Sequence, residues 1–143
     1  MESYRLEQLT VFVENRSGEL LAITLLLEDE GISLTSITLA DSTEFGLLRL
    51  LTPEVARAKK VLLEQGFMAQ SSYVLGVKIN NHIGSFNRIV RILASVNVDI
   101  RYTYTVNEKE FGIFIFKLDD EVFHTAMTAL LRKEVALLRL EDL

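Results

Sequence analysis

Apolar positions along the 143-residue chain follow two periods. Leu9, Val11 and Val13 alternate weakly with their neighbours, the two-residue period of a half-buried strand, and predict a strand over Gln8–Glu14. Farther on, Phe86, Ile89, Ile92, Leu93 and Val96 fall on one side of a helix, with Asn87, Arg88, Arg91 and Ser95 on the other. Gly31 and Asn97 stand where a helix end takes a left-handed residue. Strands are expected at Ile32–Ala40 and Val98–Val106. The polar turns Asp41-Ser42-Thr43 and Asn107-Glu108-Lys109 lead to strands at Phe45–Leu51 and Phe111–Leu118. Pro53 suits a helix first turn, and Asp119-Asp120-Glu121 puts negative charge at the matching helix start. Those helices run to about Gln65 and Lys133, before final strands at Phe67–Ser72 and Val135–Leu140.

The two halves are copies. Leu9, Val11, Asn15, Gly18, Ile23 and Leu27 recur at one constant offset as Leu75, Val77, Asn81, Gly84, Ile89 and Leu93. At the same offset Glu44-Phe45-Gly46 recurs as Glu110-Phe111-Gly112. Each copy reads β-α-β-β-α-β. That order implies an α+β fold of ferredoxin-like units, each an antiparallel sheet with two helices on one face. Residues 1–71 and 72–143 form the two expected domains. Units of about 70 residues stabilise themselves weakly, and Phe67 to Asn80 is almost continuous strand-like sequence, so a packed pseudo-twofold pair is expected.

Two asymmetries bear on partners. Leu21 and Leu25 make the outer side of the first helix apolar, where the second copy has Asn87 and Arg91. The strand 111–116 is apolar on both sides, and its second face meets either the other copy or a second molecule in a homodimer.

Composition narrows the chemistry. Hydrophobic residues make up 49% and the formal net charge is −5, with 11 acids against 6 bases in residues 1–71, which argues against a nucleic-acid partner. The chain has no Cys, so disulfides, thiolate metal sites and Cys nucleophiles are excluded. The start Met1-Glu2-Ser3-Tyr4-Arg5 does not read as a signal peptide. The longest apolar run, Leu20–Leu27, is far shorter than the roughly 20 residues of a membrane span. A cytoplasmic protein with no membrane partner is expected.

The turns at Asn15–Gly18 and Asn81–Gly84 deliver a strand into a helix start, where free N–H groups and a partial positive charge favour a carboxylate. Gly permits close approach. Asn15 and Asn81 can both donate and accept, matching the ammonium and carboxylate of an amino acid, and Arg16 and His82 add charge. The same residue types also serve as ordinary helix caps and turn formers.

Glu14-Asn15-Arg16-Ser17-Gly18-Glu19-Leu20, followed by Glu30-Gly31-Ile32-Ser33-Leu34, resembles an ACT domain. Asn80-Asn81-His82-Ile83-Gly84-Ser85-Phe86, followed by Asn97-Val98-Asp99-Ile100, repeats the resemblance, which covers nearly the whole chain. Ser17 and Ile83 stand where that family often has Pro. The resemblance implies a regulatory sensor of a free amino acid, without catalysis or cofactor, holding its effector between paired domains. Asn15 and Gly18, in a candidate binding loop with Arg16, Ser17, Glu19 and Leu20, would then face Asp99 and Ile100. Asn81 and Gly84, in a candidate binding loop with His82, Ile83, Ser85 and Phe86, would face Ser33 and Leu34. Asp99 and Glu19 favour an effector with a donor side chain, histidine among others, while aliphatic amino acids stay open. With no catalytic or DNA-binding segment in the chain, the output passes through a partner such as an enzyme or transporter, or through sequestration. A homodimer is expected.

Two other readings stay open. Lys109–Phe116 is similar to the aromatic third strand of an RNA-recognition motif, although Glu110 replaces the expected Gly and Val74–Asn80 offers no aromatic residue to stack a base. A small enzyme would have only His82 and His124 to draw on, with no placed acid to orient either. Tyr102 and Tyr104, at strand period, line a pocket or fill a sheet face.

Overall fold

The computed structural model of the chain describes residues 2–14, 16–41, 45–80, 82–106 and 111–142. Its elements are β1 (Leu6–Glu14), α1 (Glu19–Asp29), β2 (Ser36–Asp41), β3 (Phe45–Leu51), α2 (Val55–Glu64), β4 (Met68–Ile79), α3 (Ser85–Ser95), β5 (Tyr102–Val106), β6 (Gly112–Lys117) and α4 (Asp120–Arg132), with 3-10 turns at Glu2–Tyr4 and Leu140–Asp142. The turns expected at Ser42-Thr43 and Asn107-Glu108-Lys109 lie outside the described residues. Two compact units divide the chain, one of residues 7–72 and one of residues 2–6 with 73–142. The division falls inside β4, a single 12-residue strand where continuous β sequence was expected.

In the 7–72 unit the strand order is β2-β3-β1, with the start of β4 beside β1. Leu9 lies opposite Leu50 and Val11 opposite Leu48, and opposed residues share a face. Ile23 and Leu27 of α1 and Ala58 and Leu62 of α2 close a core over that face. In the 73–142 unit the order is β4-β6-β5. Leu75 lies opposite Phe116 and Val77 opposite Phe114, beneath Ile89 and Leu93 of α3 and Phe123, Met127 and Leu130 of α4. The repeat is therefore a repeat of core positions, α+β and ferredoxin-like in each unit.

Both first helices end alike. Gly31 and Asn97 take φ of 68° and 58°, and the N–H groups of Ile32 and Val98 donate back to Leu27 and Leu93 at 2.9 and 3.0 Å. This ending displaces the following strands from their expected starts. Ile32 and Val98 are spent closing the helix and filling the core, so pairing begins only at Thr35 N–H to Leu51 O (2.7 Å) and Arg101 N–H to Lys117 O (2.9 Å).

Other expectations need correction. The strand expected at Val135–Leu140 reduces to an isolated bridge between Val77 and Leu137, because the chain turns at Leu140–Asp142, where Asp142 Oδ2 accepts from Arg139 N–H at 2.9 Å. Helix α2 begins at Val55, two residues after Pro53. The buried Thr52 hydroxyl donates to Ser33 O (2.6 Å) and accepts from Glu54 N–H (3.2 Å), forming the turn before it. Phe86 is 36% exposed instead of buried. It sits in the first turn of α3, its ring 4.8 Å from Phe114 and 5.9 Å from Phe116. The second face of the 73–142 sheet is met at Gly76 by Leu138 and Leu6, from segments near the ends of the chain. An added Cβ there would lie 2.7 Å from one and 2.9 Å from the other.

Candidate functional site: two strand-to-helix loops and the pockets beside them

The two loops share one backbone design. Gly18 has φ 88° and ψ −6°, and Gly84 has φ 90° and ψ −7°. Arg16 N–H donates to Glu14 O (2.7 Å) as His82 N–H does to Asn80 O (2.8 Å). Ala22 N–H and Arg88 N–H close the first helical turn on Gly18 O and Gly84 O, each at 2.9 Å. A Cβ at either glycine would meet nothing within 4 Å, so the left-handed backbone and not space requires glycine. Among the described residues no side chain caps α1 or α3. The cap is the glycine, leaving first-turn N–H groups outside the helical pattern.

Asn15 and Asn81 lie outside the described residues. Arg16 is exposed and pairs with Glu14 (2.6 Å) and Glu19 (3.6 Å), so the structure joins two of the expected site residues. Ser17 is exposed, and Leu20 packs half-buried against the 7–72 core. His82 is exposed, and Ile83 projects wholly into solvent. Ser85 is half-buried, its N–H donating to His82 O at 3.1 Å. Ser33 and Leu34, and equally Asp99 and Ile100, lie in the stretch between helix end and strand, ahead of β2 and β5. Ser33 and Asp99 are exposed, while Leu34 and Ile100 pack against their own cores.

Beside each loop lies a pocket that periodicity did not reveal. In the 7–72 unit it has about 270 Å³ and is lined by Phe12, Glu14, Glu19, Phe45, Gly66, Phe67 and Met68. In the 73–142 unit it has about 350 Å³ and is lined by Lys78, Ile79, Asn80, Ser85, Arg88, Ile89, Phe111, Glu134, Val135 and Ala136. Every lining residue of the first has its counterpart in the second. Phe12, Glu14, Glu19 and Phe45 correspond to Lys78, Asn80, Ser85 and Phe111 at the offset of the sequence repeat. Gly66, Phe67 and Met68 correspond to Glu134, Val135 and Ala136 at a slightly longer one. The repeat contained the signal, but only the fold shows which of its positions meet.

The other readings find little support. Phe114 and Phe116 belong to the helix-covered core and stack with Phe86 instead of offering an open surface to bases. Tyr102 and Tyr104 stack on each other at 6.5 Å, half-buried, opposite Lys117 and Ile115 on the other sheet face. His124 is exposed. Among the described residues no three His, Asp or Glu side chains group as a metal site, and no helix is long and apolar enough to cross a membrane.

Comparison with known proteins adds the family. The chain resembles the crystal structure of protein BT0572 from Bacteroides thetaiotaomicron at 26% identity and a TM-score of 0.92, covering 99% of this chain and 97% of that one. Against the regulatory subunit of aspartate kinase from Thermus thermophilus the identity is 14% and the TM-score 0.61, over 89% and 91% of the two chains. Against aspartokinase III of E. coli the values are 14% and 0.57, over 88% of this chain and 31% of that one. These last two show likeness of fold. No curated protein sequence matches the chain. A family model described as an ACT domain pair matches residues 4–143. With both copies of the fold and both glycine-capped loops in place, this chain belongs to the family of ACT domain pairs.

Proposed function

We propose that the protein is a regulatory sensor of a free amino acid, without catalysis of its own, and that the loops 15–20 and 81–86 hold the effector with help from Ser33, Leu34, Asp99 and Ile100. The observation that carries this reading is the matched pair of left-handed glycines, each opening a helix start behind an Asn-x-x-Gly sequence in a chain of the ACT family. The likeness to regulatory subunits of aspartate kinase is consistent with it. Histidine is one candidate effector. The output passes to a partner, an enzyme or a transporter. A thermal-shift screen of the twenty amino acids tests the reading. One of them raises the midpoint, by about 2.7 kcal/mol of stability at a hundred times Kd, and Asn81→Ala removes the shift. A flat screen would sink the sensor.

The protein acts as a homodimer. Leu21 and Leu25 on α1 are 60% and 46% exposed, and Ile37 and Leu39 on β2 are 48% and 52% exposed. Their counterparts in the other copy, Asn87, Arg91, Thr103 and Thr105, are all polar. Apolar side chains restricted to one of two equivalent surfaces favour a partner there. Leu21→Asn with Leu25→Arg copies the polar version, and sedimentation then reports a monomer. A wild-type protein that sediments as a monomer would contradict the dimer.

A further inference from the structure

We infer that the pocket of the 73–142 unit binds a small organic monocarboxylate, with its anionic head between Lys78 and Arg88 and its hydrocarbon against Phe111 and Ile89. This goes beyond the amino-acid reading. It concerns a pocket whose lining, Ser85 apart, lies outside the loop assigned to the effector.

The charge of the lining carries the inference. Lys78 places its ammonium 5.4 Å from the centroid of the Phe111 ring. Arg88 is steadied by donating to Lys133 O at 2.6 Å. Among the described residues neither cation forms an ion pair. Glu134 is the single acid in the wall, so the lining carries one net positive charge and suits one carboxylate. Guanidinium groups bind carboxylates in a fork, with two parallel hydrogen bonds. Asn80 and Ser85 apart, the rest of the wall is apolar, and the volume is about 350 Å³. That is within the range of small-molecule sites and about ten times the share of one water molecule.

The chain contains its own control. The equivalent pocket of the 7–72 unit has Phe12 in place of Lys78, Glu14 in place of Asn80 and Glu19 in place of Ser85. Its lining carries two acids and no base, and Arg16, which pairs with both acids from outside the lining, still leaves one net negative charge there, so it disfavours the anion that its twin accepts. One fold position, duplicated, has acquired opposite charge.

The probe is 4-methylpentanoate, titrated into the full chain and followed by backbone amide NMR. Inorganic phosphate and 3-methylbutylammonium serve as the other arms. Saturable shifts at Ser85, Ile89 and Ala136 with the carboxylate are expected, at least ten-fold tighter than with either other ion. Asn80→Glu with Ser85→Glu, which copies the lining of the twin pocket, weakens binding at least ten-fold. The other copy already carries Glu14 and Glu19 at these two positions, and an acid at 85 lies in the first turn of α3, where it favours the helix, so this variant keeps the fold. Arg88→Gln, altering an exposed side chain, weakens binding as well. Equal response to phosphate, shifts centred on Phe12 and Met68, or binding unmoved by both variants would overturn the assignment. The probe has no amino group, so a failed amino-acid screen beside a saturating carboxylate rejects the sensor and keeps this pocket. The reverse pair of results rejects the pocket alone.

Discussion

Gly66 and Glu134 hold one position of the repeated fold with one backbone conformation. Their φ angles are 85° and 60°. Each N–H donates three residues back, to Leu63 O and Leu131 O, and each following N–H, of Phe67 and Val135, donates to Leu62 O and Leu130 O. The left-handed region is open to glycine and costs other L-residues about 1–2 kcal/mol, so one copy satisfies this turn without strain and the other does not.

Glu134→Gly therefore stabilises the protein. The strain relieved exceeds the roughly 0.4–1 kcal/mol of unfolded-state entropy that a glycine adds, leaving a gain of about 0.5–1 kcal/mol by chemical denaturation. An unchanged or lower stability would show that the Glu134 side chain contributes more than its backbone costs. The same variant removes the acid from the pocket wall and tightens binding of 4-methylpentanoate.

Gly18→Ala and Gly84→Ala have the opposite effect. Neither new methyl group meets an atom within 4 Å, so each loses stability through backbone conformation alone, about 1 kcal/mol net or roughly 4 °C in Tm. The two losses are expected to match, because the φ and ψ angles match within a few degrees. Unequal losses by differential scanning calorimetry would mean that one loop is held by something other than its glycine.

Arg101 and Asp119 form a two-pronged pair, Nε to Oδ1 at 2.9 Å and Nη2 to Oδ2 at 2.6 Å. The hydrogen bond from Arg101, reinforced by its charge, holds the Asp119 carboxyl below its ordinary pKa. A carboxyl depressed in the folded state contributes stability above its unfolded pKa and loses it as the pH falls through the folded value. Asp119→Asn is thus less stable than wild type at neutral pH, and the two converge below about pH 4. The pair is solvent-exposed, so the gap is small. A gap in Tm that stays constant from pH 7 to pH 2 would remove the ion pair as its cause.

The sequence by itself determined the duplicated β-α-β-β-α order, most of the core of each copy and the left-handed residues at Gly31 and Asn97. These are periodic or local properties. Which side chains turn inward follows from 2.0- and 3.6-residue spacing, and a helix ends where a nearby residue tolerates positive φ. Only the tertiary structure decided where pairing starts and stops. The expected strands at Ile32 and Val98 begin four residues later, because those N–H groups already close a helix. The strand expected after Val135 is one bridge, because its pairing depends on Gly76 and Val77, at the far end of the same copy. The pockets belong to the tertiary structure too. Phe12, Phe45 and Met68 adjoin only once three separated segments are folded together. Their counterparts Lys78, Phe111 and Ala136 sit at two different repeat spacings, because the second copy has two extra residues between β6 and the core of α4. No single period along the chain records that juxtaposition, so the charge reversal between twin pockets becomes visible only in three dimensions.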